Sequence, residues 1–164
     1  MPSIFVLSLG LAAAVVLDVR TRRIPNWLTA GIASAGFGMA AGGGHVSLAQ
    51  ASLGTVVGLL LMLPGHVIGA TGAGDVKLMA AVGAIVGPGA IVRVFLYSAI
   101  AGGVFALAVA LHRGLLSQTL FATTRLVTSP SDARHVIEAS GRANRFPYGP
   151  AIAAGTALSF MVHL

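Results

Sequence analysis

The sequence predicts an all-α integral membrane protein, a compact bundle of about six transmembrane helices with both termini outside. Hydrophobic residues make up 56% of the 164 residues and charged residues only 9%, whereas a water-soluble domain has about 25% charged residues. The charges are also clustered, since residues 24–74 and 94–112 contain none. Nearly all basic residues fall in segments that one orientation places on the same side of the membrane. These three observations define the predicted fold class.

Six apolar segments are candidates for membrane-spanning helices. A helix needs about 20 apolar residues to cross the hydrocarbon core of a bilayer, and somewhat fewer where the bilayer thins. The predicted spans are approximately Pro2 to Leu17, Trp27 to Ala41, Leu48 to Ile68, Val76 to Gly87, Gly89 to Leu111 and Pro150 to Leu164. The fourth and fifth meet at Gly87-Pro88-Gly89. Without an internal repeat, residues 1–164 are expected to form a single domain.

The basic residues predict the orientation of the bundle. If the N-terminus is outside, the cytoplasmic segments are about 18–26, 69–77 and 112–149. These segments hold nine of the ten Lys and Arg residues, all except Arg93. Because short cytoplasmic loops carry the excess of Lys and Arg, both termini are predicted outside. The net charge of +6 is then explained by a basic face that binds anionic headgroups of the lipid bilayer, and no nucleic-acid partner is expected.

Small residues recur at four-residue spacing inside three predicted spans. Such pairs allow helix backbones to approach closely in lipid. They predict tight packing within the chain, and a homodimer is the alternative use of the same faces. The pairs are Gly54 with Gly58, Gly83 with Gly87, and Ala99 with Gly103.

The residue inventory excludes several kinds of catalytic site. The chain has no cysteine, which excludes a thiol nucleophile, a disulfide and a thiolate zinc site. It contains no His-Glu-x-x-His and no Gly-x-Ser-x-Gly segment, the motifs of zinc peptidases and α/β-hydrolases. Its five histidines are scattered singly. Neither a metal nor a cofactor is therefore expected.

Two of the four carboxylates lie at predicted membrane boundaries, Asp18 at the end of the first span and Asp75 at the start of the fourth. Ionisable groups are costly in the membrane, which makes function the default hypothesis. A helix N-cap for Asp75 and an ion pair with Arg22 for Asp18 are the structural alternatives. Two carboxylates that share one proton can activate a water and polarise a peptide carbonyl, which is aspartic-peptidase chemistry. Gly72 and Gly74 would let an extended peptide pass close to the backbone.

Three segments of the chain resemble motifs of the type IV prepilin peptidases, intramembrane aspartic peptidases with a Gly-x-Gly-Asp signature. They occur in the family's order and span nearly the whole chain. The short chain resembles the members that serve tight-adherence (Flp) pili. The segments are Asp18-Val19-Arg20-Thr21-Arg22-Arg23-Ile24-Pro25-Asn26, Gly72-Ala73-Gly74-Asp75-Val76-Lys77-Leu78 and Phe146-Pro147-Tyr148-Gly149-Pro150.

The resemblance implies a substrate, a localisation and a set of site residues. The substrate would be a prepilin or pseudopilin precursor, whose short basic leader is removed at the cytoplasmic face of a prokaryotic inner membrane. Bifunctional relatives also methylate the new N-terminus and carry a cysteine-bearing insertion, so this cysteine-free chain is expected to have no methyltransferase activity and no zinc. Asp18 and Asp75 would be catalytic. The substrate-binding or site-supporting residues would be Pro25, Asn26, Gly72, Gly74, Lys77, Pro147, Tyr148 and Gly149.

Two other classes of protein share some of these features. Proteases of the presenilin or signal-peptide-peptidase type also have a Gly-x-Gly-Asp segment. Here, however, Leu17 stands where those enzymes have a tyrosine before the first aspartate, and their Pro-Ala-Leu segment is absent. A non-catalytic membrane scaffold or transporter would explain a glycine-rich bundle but not three ordered motifs.

Helix ends predict different roles for the two aspartates. Asp75 would precede a helix, whose N-terminal amides favour a charged carboxylate, so it is expected to be the base. Asp18 would follow a helix, whose negative end disfavours charge, so it is expected to hold the shared proton and act as the acid. Lys77 has two interpretations: it lies near Asp75 and favours its charged form, or it anchors the cytoplasmic face.

The predicted orientation can be tested by cysteine labelling, because the native chain has no cysteine. A cysteine at Gly43 is expected to react with an impermeant thiol reagent in intact cells. A cysteine at Ala139 is expected to react only after the membrane is opened. The reverse pattern would overturn the orientation and with it the cytoplasmic location of the site.

Overall fold

The computed structural model describes residues 2–67, 69, 71–112 and 148–162. Within these ranges the secondary structure is helical, without strands, which confirms the all-α class. The five helices are α1 (Pro2–Thr21), α2 (Asn26–Ala41), α3 (Leu48–Val67), α4 (Ala73–His112) and α5 (Gly149–Met161).

Three helical segments are long and apolar enough to cross a membrane. They are Ser3–Thr21 in α1, Leu48–Val67 in α3 and Ala73–Val109 in α4. The other two helices are shorter, with 16 residues in α2 and 13 in α5. The described helices are those of a membrane protein, whereas the number of six crossings and the outside location of both termini stay predictions.

Helix α4 is broken at Gly87, where the sequence places the boundary between the fourth and fifth spans. Gly87 has φ 79° and ψ 175°, a backbone conformation that is accessible to glycine and strained for other residues. Pro88 follows, and proline has no N–H group to continue the helical hydrogen bonds of the preceding turn. The two halves, residues 73–86 and 88–112, are therefore separate helical segments of one α4.

Helix α1 extends beyond its predicted end. The prediction placed the end at Leu17, but the helix continues to Thr21, so that Asp18 lies in its last turn. The helix ends because Arg22 adopts a left-handed conformation with φ 51°, and its amide donates to the Asp18 carbonyl oxygen at 2.8 Å. A left-handed residue at this position is a common way to end a helix and bind its last carbonyl groups. Asp18 thus stands on a regular helix and not on a loop.

The first half of α4 forms the centre of the bundle. Its side chains are buried on nearly every face, and only Ala73 and Lys77 near its start are exposed. Helix α4 packs against each of the other four helices, most extensively against α3 and α5. The helix that carries Asp75 is therefore enclosed by the rest of the described fold.

Glycines bring α3 and α4 into backbone contact, as two of the three predicted pairs require. A Cβ atom added to Gly54 would contact the backbone of Gly83 and Gly87, and one added to Gly58 would lie 2.6 Å from the Met79 carbonyl oxygen. For the third pair, Ala99 with Gly103, the prediction of tight packing within the chain is wrong. Ala99 is exposed, and a Cβ at Gly103 would meet nothing within 4 Å. The packed face of α4 is offset from that pair by one residue, which is about 100° around the helix.

The α3–α4 contact predicts a large effect for a single methyl group. Gly83→Ala is expected to lower stability by about 1–3 kcal/mol, because the new Cβ would enter the backbone of α3. Gly38→Ala is the matched control, since Gly38 also lies in a helix and its Cβ would meet nothing within 4 Å. The control should be neutral or slightly stabilising. Thermal unfolding in detergent micelles measures the stability of both variants. Equal melting temperatures for Gly83→Ala and Gly38→Ala would contradict the close contact between α3 and α4.

Candidate active site

Asp18 is buried because it continues the inward-facing stripe of α1. Leu7, Leu11 and Ala14 are buried on one face of this helix, and their spacing of three and four residues repeats every turn. Asp18 comes four residues after Ala14 on the same face and is 6% exposed. The same periodicity that directs apolar side chains into the core therefore directs this carboxylate inwards.

Asp75 lies at the third position of α4 and is 7% exposed. Its Oδ2 accepts the Gly72 amide at 3.0 Å, while the Asp75 amide donates to the Gly72 carbonyl oxygen at 3.1 Å. The bond to the Asp75 side chain corresponds to half of a capping box, in which the side chain of the third helical residue binds the amide of the cap residue. A Cβ at Gly72 would lie 3.1 Å from Asp75 Oδ2, so the close contact favours glycine. Asp75 therefore caps its helix with one carboxylate oxygen.

Asp18 receives its hydrogen bond from a distant part of the chain. The Gly149 amide donates to Asp18 Oδ2 at 2.9 Å, and Gly149 is the first residue of α5. A Cβ at position 149 would lie 2.8 Å from the same oxygen. Glycine is favoured here because the backbone passes directly against the carboxylate.

The sequence predicts that helix ends favour a charge on Asp75 and disfavour one on Asp18, but in the structure this difference disappears. Asp18 lies near the C-terminal end of α1, but it also lies at the N-terminus of α5 and accepts an amide there. Asp75 accepts an amide at the N-terminus of α4. Each carboxylate is therefore bound at the positive end of a helix. Helix ends no longer separate a base from an acid.

The two aspartates lie close enough for the Asp18 charge to act on Asp75. Their negative charges repel, although the residues come from α1 and α4. The Asp75 charge acts on the Tyr148 phenol as well. The structure thus brings three sequence-predicted residues, Asp18, Asp75 and Tyr148, into one electrostatic cluster.

Tyr148 stands immediately before α5, with its ring against α4. Its hydroxyl donates to the Ser98 carbonyl oxygen at 3.4 Å, and the ring packs over Gly102. Burial and, to a lesser extent, the Asp75 charge raise the pKa of the Tyr148 phenol, so the hydroxyl stays protonated as a donor. Sequence reasoning missed Ser98 and Gly102, and no motif distinguishes them from their neighbours.

The remaining predicted residues connect the segment after Asp18 to the segment around Asp75. The Pro25 carbonyl accepts the Leu28 amide at 3.1 Å at the start of α2, and the next residue, Asn26, accepts a hydrogen bond from Lys77 Nζ at 2.8 Å. A Cβ at Gly74 would lie 3.0 Å from the Ile24 Cβ. Lys77 therefore joins α4 to α2. Pro147 lies outside the described residues.

Two cavities in the described part of the bundle lie apart from the aspartates. One cavity of about 290 Å³ lies at the opposite end of the bundle, where Ser3, Met39 and His45 are among its lining residues. Another of about 270 Å³ lies between α1 and α5, with Leu11 and Ala153 in its walls. Neither is lined by a carboxylate. In the described part of the chain, no group of three or more His, Asp or Glu side chains is placed to hold a metal ion.

Comparison with known proteins yields one family. The model of the type IV leader peptidase family matches residues 5–107, a range that contains Asp18 and Asp75 and ends before Tyr148. No curated protein and no solved structure matches the chain.

The Lys77–Asn26 hydrogen bond predicts a small coupling between α2 and α4. Lys77→Met and Asn26→Ala are each expected to lower the melting temperature slightly, and the double variant should be no less stable than the worse single variant. An exposed bond of this kind contributes about 0.2–1 kcal/mol. Thermal unfolding of the four proteins measures the coupling, and fully additive losses would show that the two side chains act independently.

Proposed function

Since this chain belongs to the type IV leader peptidase family, we propose that it is an aspartic endopeptidase with Asp18 and Asp75 as its catalytic pair. The observation that carries the proposal is the pair of buried carboxylates, each bound by a backbone amide through Oδ2. Two neighbouring carboxylates in an apolar bundle resist double ionisation, so they share one proton. A shared proton supplies both a base and an acid for peptide hydrolysis.

The two hydrogen bonds from backbone amides suit this chemistry because each binds only one oxygen of its carboxylate. The proposal assigns the other oxygen, Oδ1, to the reaction. The ionised carboxylate takes a proton from water, and the water oxygen bonds to the scissile carbonyl carbon. The protonated carboxyl group gives its proton to the carbonyl oxygen, which produces a tetrahedral diol. When the diol collapses, the C–N bond breaks and a proton moves to the nitrogen, leaving a new carboxyl group and a free amine.

The roles of acid and base belong to the pair as a unit. Both carboxylates accept an amide hydrogen bond at a helix N-terminus, an interaction that stabilises a charged carboxylate. Interacting groups titrate with constants that belong to the pair. The proposal therefore needs one proton on the two side chains together, on whichever aspartate it resides.

The proposed substrates are prepilins or pseudopilins with a short basic leader and an apolar helix after the cut. Asp18 lies in the last turn of α1, and Asp75 lies in the first turn of α4. Both therefore stand at ends of apolar helices, where a soluble leader and a membrane-embedded helix would meet. Family membership supports this substrate class, and the cytoplasmic face of a prokaryotic inner membrane is the proposed location. No cofactor and no methyl transfer are part of the proposal.

Removing either carboxylate tests the catalytic pair. Asp18→Asn and Asp75→Asn keep the size of the side chain but remove a proton-transfer group, so each should reduce turnover at least about 100-fold. The assay uses purified protein in liposomes with a synthetic prepilin, and mass spectrometry identifies the cut site. The same spectra report whether the new N-terminus is methylated when a methyl donor is added.

The matched control is Asp132→Asn, since the proposal gives Asp132 no role. It is expected to cleave like the unmodified protein. Substantial turnover by either purified variant of Asp18 or Asp75 would overturn the pair. Cleavage at a bond other than the one after the leader would overturn the proposed substrate class.

A further inference from the structure

Gly102 is a buried glycine in the second half of α4 that faces Tyr148. A Cβ at this position would lie 2.8 Å from Cε2 of Tyr148 and 3.3 Å from its Cζ and hydroxyl oxygen. At the adjacent Gly103, a Cβ would meet nothing within 4 Å. The ring of Tyr148 therefore occupies space that exists only because residue 102 has no side chain.

A second contact fixes the same ring one helical turn earlier. The Tyr148 hydroxyl donates to the carbonyl oxygen of Ser98, which lies four residues before Gly102 and on the same face of α4. Ser98 also packs directly against Gly155 of α5. Helix α5 and the residue before it therefore contact α4 at three points: the hydroxyl of Tyr148, the ring edge of Tyr148 and Gly155.

The alignment matters because Tyr148 immediately precedes the residue that binds Asp18. The Gly149 amide donates to Asp18 Oδ2 at 2.9 Å, and consecutive Cα atoms are held about 3.8 Å apart by the covalent chain. A displacement of Tyr148 therefore moves the Gly149 amide relative to the carboxylate. We propose that Gly102 is a positioning residue, which seats Tyr148 so that the Gly149 amide reaches Asp18.

The effect of Gly102 on catalysis rests on the proposed function, in which Asp18 is one of the two catalytic carboxylates. Helix α4 carries Asp75 on its first turn, and through Gly102 and Tyr148 it also determines where Asp18 finds its amide donor. The same helix would then carry one carboxylate and position the amide donor of the other. A glycine that served packing alone would affect stability without affecting the hydrogen bond at Asp18.

The hydrogen bond can be observed without any activity assay. Tyr148-Gly149 is the only Tyr-Gly pair in the sequence, because the other tyrosine, Tyr97, precedes Ser98. Protein labelled with ¹³C at tyrosine carbonyls and ¹⁵N at glycine therefore gives one doubly labelled amide signal in the NMR spectrum. An amide proton that is hydrogen-bonded to a carboxylate resonates downfield. Asp18→Asn removes the negative charge of the acceptor and should move the Gly149 amide signal upfield.

The variants are Gly102→Ala and its matched control Gly103→Ala, which makes the same change one residue further along the same helix. Gly102→Ala is expected to move the Gly149 signal upfield, as Asp18→Asn does. Gly103→Ala should leave the signal in place. Tyr148→Leu removes the ring and is expected to reproduce the effect of Gly102→Ala, which provides the same test if Gly102→Ala does not fold.

Kinetics with the synthetic prepilin provide the second measurement. Gly102→Ala is expected to lower kcat about 10- to 100-fold, as small displacements of catalytic groups do, while KM stays near its original value. Gly103→Ala should leave both constants unchanged. In the Tyr148→Leu background, Gly102→Ala should cause no further loss, because its effect passes through the ring.

An unmoved Gly149 signal in folded Gly102→Ala would overturn the inference, and so would an additive loss in the double variant. If the unmodified protein cleaves no prepilin, the proposed function fails, but the NMR comparison still decides whether Gly102 positions the amide. A moved signal together with a loss in kcat supports both proposals.

Discussion

Burying a carboxylate in an apolar helix bundle is costly, by several kcal/mol for an ion without partners. The described structure meets this cost at Asp18 and Asp75 with one backbone amide each. Backbone amides at a helix N-terminus are suited to this purpose, because they have no partner within the helix and carry partial positive charge. The positions of both carboxylates, and of the helices that supply the amides, follow from this requirement.

Glycine at two positions is a direct consequence. Gly72 and Gly149 supply the two amides, and a Cβ at either would lie within about 3 Å of the carboxylate oxygen that its own amide binds. The amide and the side chain compete for the same space, so close approach favours a residue without a side chain. The Gly-x-Gly-Asp and Tyr-Gly-Pro segments thus share one physical function, although they lie on different helices.

The central position of α4 then relates the two carboxylates to each other. Its first half is buried among the other helices and carries Asp75, while its second half packs against Tyr148 and α5. The break at Gly87 separates these two parts. Close backbone contact with α3 at Gly54 holds the first half in place. The spacing between the aspartates therefore depends on helix packing throughout the described bundle.

The sequence by itself determined the features that arise from local chemistry. Its long apolar segments with few charges predicted helices in a membrane, Gly87-Pro88 marked the boundary at which α4 is broken, and elimination left Asp18 and Asp75 as candidates. Two of three small-residue pairs also identified the packed faces of α3 and α4. These patterns depend on residues within a few turns of each other, so they can be recognised without knowing the fold.

Only the tertiary structure decided which distant groups meet. The amide of Gly149 reaches Asp18 across 131 residues of sequence, Lys77 binds Asn26, and Gly102, not Gly103, lies against Tyr148. The physical reason is helix rotation and register. Adjacent residues differ by about 100° around a helix, so a contact depends on how two helices are turned and shifted against each other. That arrangement is set by packing of the whole bundle, which no single segment of the sequence contains.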